Sequence, residues 1–153
     1  MIILDTTVLA YAVGEEHPLR EPCRRLLAAH ASGAIEATTT VDVLQEFAHV
    51  RARRRTREDA VSLTRLYAVA LDPIVTTAAD LDAGLALFEQ QLELGASDAV
   101  LAAVALNRRA DALVSADRAF ASVPNLPWID PATAAIDRLV GGPAGGGSPA
   151  RPG

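Results

Sequence analysis

The stretch Ile2-Ile3-Leu4-Asp5-Thr6-Thr7 decides the fold. Three consecutive apolar residues with no alternation read as a strand buried on both faces, as in a parallel sheet. Asp5 then stands at the carboxyl end of that strand. The pattern recurs at Ala112-Leu113-Val114-Ser115, with Asp117 just beyond it. Pro127-Trp128-Ile129 and Ala34-Ile35-Glu36-Ala37-Thr38 are shorter candidates, and Ile74-Val75 is a strand-like pair.

Helical patterns lie between these strands. From about Pro18 to His30, Leu19, Cys23, Leu26 and Leu27 fall at helical spacing, and Ser32-Gly33 ends the run. Thr39, with Asp42 three residues on, loosely resembles a capping box opening a helix with Val41, Leu44, Phe47 and Ala48 as its apolar stripe. A helix from Arg57 or Glu58 to Leu71 stops at Asp72-Pro73. Another spans about Ala78 to Leu92. Gly95 breaks the pattern, and Ser97 caps a helix from Asp98 to Asn107. Short apolar strands alternating with helices predict an α/β domain with a parallel sheet over residues 1–140. From Gly141 onward lie six of the ten glycines and three of the nine prolines, so residues 141–153 read as a flexible tail.

The 153 residues carry a formal net charge of −5, the wrong sign for broad electrostatic binding of nucleic acid. All 14 basic residues are arginine, which a GC-rich genome explains as well as selection for phosphate contacts does. Cys23 is the single cysteine, so no internal disulfide can form and no Cys/His zinc site can be drawn. No apolar run approaches the roughly 20 residues of a membrane span. MIILDTT lacks the form of a secretory signal. The expected compartment is the cytoplasm.

Ligands of open α/β sheets bind outside the carboxyl ends of the strands. Asp5 and Asp117 fall there, Asp98 opens a helix, and Glu46 lies within one, with Asp42 a turn earlier. Each has an ordinary structural reading. Asp5 can cap the next segment, Asp98 can favour a helix dipole, Glu46 can be a solvated edge, and Asp117 can be a turn residue paired with Arg118. Several carboxylates in one cleft, however, raise one another's pKa unless a cation sits among them. Oxygen-only ligation suits magnesium or manganese. Such an ion lowers the pKa of water and lets an acidic protein meet an anionic polymer.

The order Asp5-Thr-Thr-Val-Leu, Val-Leu-Gln-Glu46-Phe, Ser-Asp98-Ala and Ser-Ala-Asp117-Arg-Ala-Phe resembles the PIN-domain ribonucleases. It is most similar to the VapC toxins of bacterial toxin–antitoxin pairs, over about residues 1–135. The resemblance implies an α/β/α sandwich with a central, mostly parallel sheet. It implies that Asp5, Glu46, Asp98 and Asp117 form the catalytic, metal-binding acid site. Thr7 stands where the family usually has Ser or Asn, and Ser115 matches the family's hydroxyl two residues before the last aspartate. Implied further are magnesium-dependent endoribonuclease activity, with manganese a possible substitute, and a tRNA or rRNA target. Homodimerisation and a small VapB-type antitoxin that also binds promoter DNA are implied as well.

On this basis Asp5 and Asp98 are the main metal ligands. Glu46 and Asp117 complete the acidic shell, and one of them orients or deprotonates the attacking water. Thr7 and Ser115 hold carboxylates or waters in place. Arg51, Arg53, Arg54, Arg55 and Arg57 read either as a patch for RNA phosphates or as a solvated helix end. Arg108-Arg109 reads as a helix end. His17, His30 and His49 form no ligand cluster, and Trp128 reads as core. Leu19, Leu26, Leu27 and Phe47 are core or partner-facing. Two other functions fit the same residues: a non-toxin PIN nuclease of RNA processing, and a non-catalytic magnesium-binding regulatory module.

Overall fold

The computed structural model describes residues 1–141. Strands β1 (Ile2–Leu4), β2 (Ala37–Thr38), β3 (Ala112–Val114) and β4 (Trp128–Ile129) form one sheet in the order β2-β1-β3-β4. Every pairing is parallel, with Ile2 beside Ala37 on one side and Ala112 on the other. Ile3, Leu4, Leu113 and Val114 are fully buried. Successive strand residues point to opposite faces, so helices must cover both, as an α/β/α sandwich requires.

The helices among the described residues are α1 (Thr6–Ala12), α2 (Arg20–Ala31), α3 (Val41–Arg54), α4 (Arg57–Leu71), α5 (Ala78–Gln90), α6 (Ala96–Asn107) and α7 (Ala135–Val140). A 3-10 turn, Arg118–Ser122, follows β3. Val8, Leu9, Cys23, Leu26, Phe47 and Val104 pack on the strands with no exposed surface. Each buried aliphatic or aromatic side chain of this kind is worth roughly 1.5–3 kcal/mol. Tyr67 is buried too. Its hydroxyl donates to the Leu9 carbonyl (3.1 Å), and its ring meets Phe47 edge-on at 5.1 Å.

Asp5 turns the chain as the N-cap of helix α1, so that Thr6-Thr7-Val8, β-branched and adjacent to a strand, are helical. Several local expectations are corrected. Thr40, not Thr39, caps α3 by accepting the Val43 N–H at 3.1 Å. The Thr39 hydroxyl instead donates to the Leu4 carbonyl at 2.8 Å, tying β2 to β1. The capping box is at Thr77 and Asp80, opening α5, which ends at Gln90. Gly95 is the N-cap of α6, so Ser97 lies within the helix. The strand expected at 34–38 shrinks to two residues because the Ala34 and Ile35 N–H groups both fold back onto the Ala29 carbonyl. Ile74 forms a single bridge with Thr40. Of the expected tail, only Gly141 is described, closing α7; residues 142–153 lie outside the described residues. No helix among the described residues is long and apolar enough to cross a membrane.

Candidate active site

β1 has β2 on one side and β3 on the other, and the chain leaves β3 toward β4. The carboxyl ends of β1 and β3 therefore border the switch point where an open parallel sheet leaves a crevice. Asp5 and Ser115 are the first residues past those strands.

Asp5 is 4% exposed. Its Oδ2 accepts from the hydroxyls of Thr7 (2.8 Å) and Ser115 (2.7 Å), and weakly from the Thr7 N–H (3.3 Å). Each hydroxyl has one proton to give. In return, Thr7 Oγ1 accepts the Ala116 N–H and Ser115 Oγ the Asp117 N–H, each at 3.0 Å. The orientation of Asp5 and the path of the loop bearing Asp117 are thus set by one network. Among the described residues no hydrogen-bond donor reaches Asp5 Oδ1, which remains available.

Glu46 is exposed on α3, and its Oε2 accepts from the Thr6 hydroxyl at 2.7 Å. Asp117 caps the 3-10 turn through the Ala119 N–H (2.9 Å). Asp98 lies in the first turn of α6 above Gly95; a Cβ on Gly95 would stand 3.1 Å from Asp98 Oδ2. The Asp98 carboxyl is pushed up to about 6, first by burial and then by the negative charges of Asp5, Asp117 and Glu46. All four expected acids line one cleft, and Asp98 feels the charge of the other three.

Asp5, Glu46 and Asp98 line two cavities, one on each side of them. One, of about 640 Å³, is completed by Asp42, Gln45, His49, Ser97 and Leu101. The other, of about 530 Å³, adds Asp117, Tyr11, His17 and Arg54. Among the described residues no group of three or more His, Cys, Asp or Glu side chains stands together closely enough to hold a metal ion. The chemistry of the donor set nevertheless fits a hard divalent cation: carboxylate oxygens only, one free oxygen on Asp5, and a mutual repulsion that a cation relieves.

Some groups around the cleft had weak or no signal in the sequence. Thr6 is a helix-start threonine whose partner is 40 positions away. Gly95 reads as a helix stop, yet it makes room for Asp98. Asp42 is held by the Thr76 hydroxyl, which answers the like-charge spacing with Glu46. His49 lines the cleft. His30 is satisfied, accepting the Ala37 N–H on Nδ1 and bonding the Ala70 carbonyl through Nε2. Trp128 is half-buried and donates to the Ser115 carbonyl at 3.0 Å.

The arginine run is not one surface. Arg51 is largely buried, bonding Asp59 through two nitrogens and the Val13 carbonyl through a third (3.0 Å). Arg53, Arg54, Arg55 and Arg57 are exposed, and Arg55 lies 3.8 Å from Glu15. Arg108 reaches the buried Asp80 at 3.1 Å.

The family model of the PIN domain matches residues 2–126. Ribonuclease VapC7 of Mycobacterium tuberculosis is 51% identical over 149 residues, covering 92% of this chain and 99% of the relative. Ribonuclease VapC23 of the same organism is 32% identical over 126 residues, 80% of this chain and 97% of the relative. The fold is similar to a chain of the crystal structure of VapBC2 from Rickettsia felis bound to a DNA fragment from their promoter, with TM-score 0.66, 21% identity, and 85% and 98% of the two chains covered. A chain of a toxin–antitoxin complex from Klebsiella pneumoniae superposes with TM-score 0.64 at 19% identity, covering 86% and 98%. An acid cleft at the β1–β3 switch point, on a chain that the PIN model spans and that is half identical to a VapC, leads to one conclusion: the chain belongs to the PIN-domain family, among the VapC ribonucleases.

Proposed function

We propose that the protein is a metal-dependent endoribonuclease that hydrolyses RNA phosphodiester bonds at Asp5, Glu46, Asp98 and Asp117, as the toxin of a toxin–antitoxin pair. The observation that carries this reading is the convergence of the four acids on one cavity at the carboxyl ends of β1 and β3. A magnesium ion, or manganese in its place, supplies positive charge that polarises the phosphodiester and lowers the pKa of water. Asp5, held by Thr7 and Ser115, and Asp98, in the first turn of α6, would hold that cation. Glu46, steadied by Thr6, and Asp117, steadied by the Ala119 N–H, complete the shell. One of these two would orient or deprotonate the attacking water. The exposed members of the arginine run, Arg54 foremost, meet RNA phosphates beside the centre.

A tRNA or rRNA is the substrate class we assign, and the cytoplasm is where such a substrate is met. A small VapB-type antitoxin that binds promoter DNA is the partner. For a homodimer, Leu81, Leu85 and Phe88 of α5 offer an apolar stripe, each close to half exposed. The deciding experiment incubates the purified chain with total tRNA and rRNA, with magnesium or with a chelator, beside an Asp5→Ala, Asp98→Ala double variant. Cleavage that needs magnesium and vanishes in the variant supports the reading. Magnesium binding without cleavage would favour a regulatory module, and a nuclease encoded without an adjacent partner gene would favour RNA processing.

A further inference from the structure

The cavity on the α1 side of the acids carries a feature that hydrolysis itself does not use. Tyr11 and His17 stack there, with ring centroids 4.5 Å apart and planes at 27°. Both line the cavity that holds Asp5, Glu46, Asp98 and Asp117. Tyr11 is half-buried and packs against the core, while His17 is exposed. The Leu19 N–H donates to His17 Nδ1 at 3.1 Å, which helps fix the ring. The result is an aromatic pair anchored at two points, with His17 exposed. Arg54 lines the same cavity from α3.

We propose that the Tyr11–His17 stack is the subsite for a nucleobase next to the scissile phosphate of single-stranded RNA, an inference that rests on the ribonuclease reading above. Unpaired bases are recognised by stacking on aromatic rings, and every base has a face to offer. A cavity of about 530 Å³ is of nucleotide size. Its charge also sorts the parts of a nucleotide. Glu15 and Glu16 add to the acids lining it, so a phosphate is repelled except near Arg54 and the cation at the acid centre. A neutral base feels no such repulsion and settles on the rings. Stacking there fixes the register of the strand over the acids.

The test uses an RNA oligonucleotide spanning the strongest site that the enzyme cuts in total RNA, together with copies made abasic at each position flanking the cut. For the wild type, one abasic position should raise KM roughly 5- to 150-fold, the usual worth of one stacked base, with kcat unchanged. His17→Ala should raise KM on the intact oligonucleotide similarly and should no longer sense the abasic position. His17→Phe, which keeps a stacking face, should restore both. Equal abasic penalties in the wild type and His17→Ala would overturn the proposal. So would a His17→Ala protein with normal KM but weakened inhibition by a partner's peptide, which would assign the pair to protein recognition. Wild-type protein that cuts no RNA would sink the ribonuclease reading and this subsite with it, whereas cutting indifferent to the abasic position sinks the subsite alone.

Discussion

Ser115 and Asp5, 110 positions apart, are joined by a 2.7 Å hydrogen bond across the carboxyl ends of two adjacent parallel strands. Ser115 is fully buried, and its oxygen also accepts the Asp117 N–H. Ser115→Ala therefore removes a donor from Asp5 and orphans a backbone N–H in one change. Leaving the buried Asp5 carboxylate short of a donor costs about 1–3 kcal/mol. Loss of a residue that orients a metal-binding carboxylate typically costs roughly 10- to 100-fold in activity or metal affinity. Urea unfolding and magnesium-titrated cleavage should show both losses. Thr7→Ser, which keeps the hydroxyl, should show neither; equal damage from Thr7→Ser would mean that the methyl group, not the hydrogen bond, matters.

The four acids predict a pH-dependent response to cation. Asp98 is raised from 3.8 to about 6 without metal. A folded-state pKa above the unfolded value means that the folded chain keeps a proton which the unfolded chain has lost. Stability of the metal-free protein thus falls as pH rises from about 4 through 6. Magnesium removes that cost at pH 7.5, but at pH 5 it must displace the proton. Thermal shift with saturating magnesium should be larger at pH 7.5 than at pH 5, and Asp98→Asn should flatten the difference. An equal shift at both pH values would show that the cation does not engage Asp98.

Much of this site was legible in the chain because strand ends in a parallel sheet are easy to place. Ile2–Leu4 and Ala112–Val114 are unbroken apolar runs, so Asp5 and Ser115 follow at once. Helix α1 was not legible, since Thr6, Thr7 and Val8 are β-branched and favour strand locally. Tertiary contacts decide otherwise: the Thr6 hydroxyl finds Glu46, and the Thr7 hydroxyl finds Asp5 and the Ala116 N–H. Gly95 reads as a helix stop and Ser97 as a cap, yet Gly95 is the extended residue from which α6 begins. The arginine run reads as uniform, yet Arg51 differs because Asp59 begins the next helix beside it.

That difference separates two kinds of arginine. Arg51 links the end of α3 to α4 and to the residue after α1, and its hydrogen bond is the first cause of the lowered Asp59 pKa. Arg51→Ala should lower Tm and leave the salt dependence of RNA binding unchanged. Arg54→Ala should keep Tm and reduce the slope of log affinity against log salt by about 0.7, the value of one single-strand phosphate contact. Filter binding from low to high salt measures both. Unchanged slopes in both variants would remove the run from RNA binding.

The last prediction concerns what holds Asp98 in position from behind. Gly84 is buried in α5, and a Cβ there would stand 2.6 Å from Val100 Cα and 2.9 Å from Val100 N on α6. Gly84→Ala gains about 1 kcal/mol of helix propensity. Overpacking costs typically about 1–3 kcal/mol, and here the obstacle is backbone, which cannot rotate aside. Against backbone the clash should fall at the high end and win by up to about 2 kcal/mol, lowering Tm by up to roughly 8 °C for a chain of this size. Because α6 must move away, Asp98, two residues before Val100, shifts with it, and cleavage should fall even well below Tm. The double variant Gly84→Ala, Val100→Ala tests the cause. It relieves the Cγ2 contact of 2.7 Å but not the Cα and N contacts, so recovery should be partial. Full recovery would mean that a side chain, rather than the backbone, sets the approach of α5 to the helix that carries Asp98.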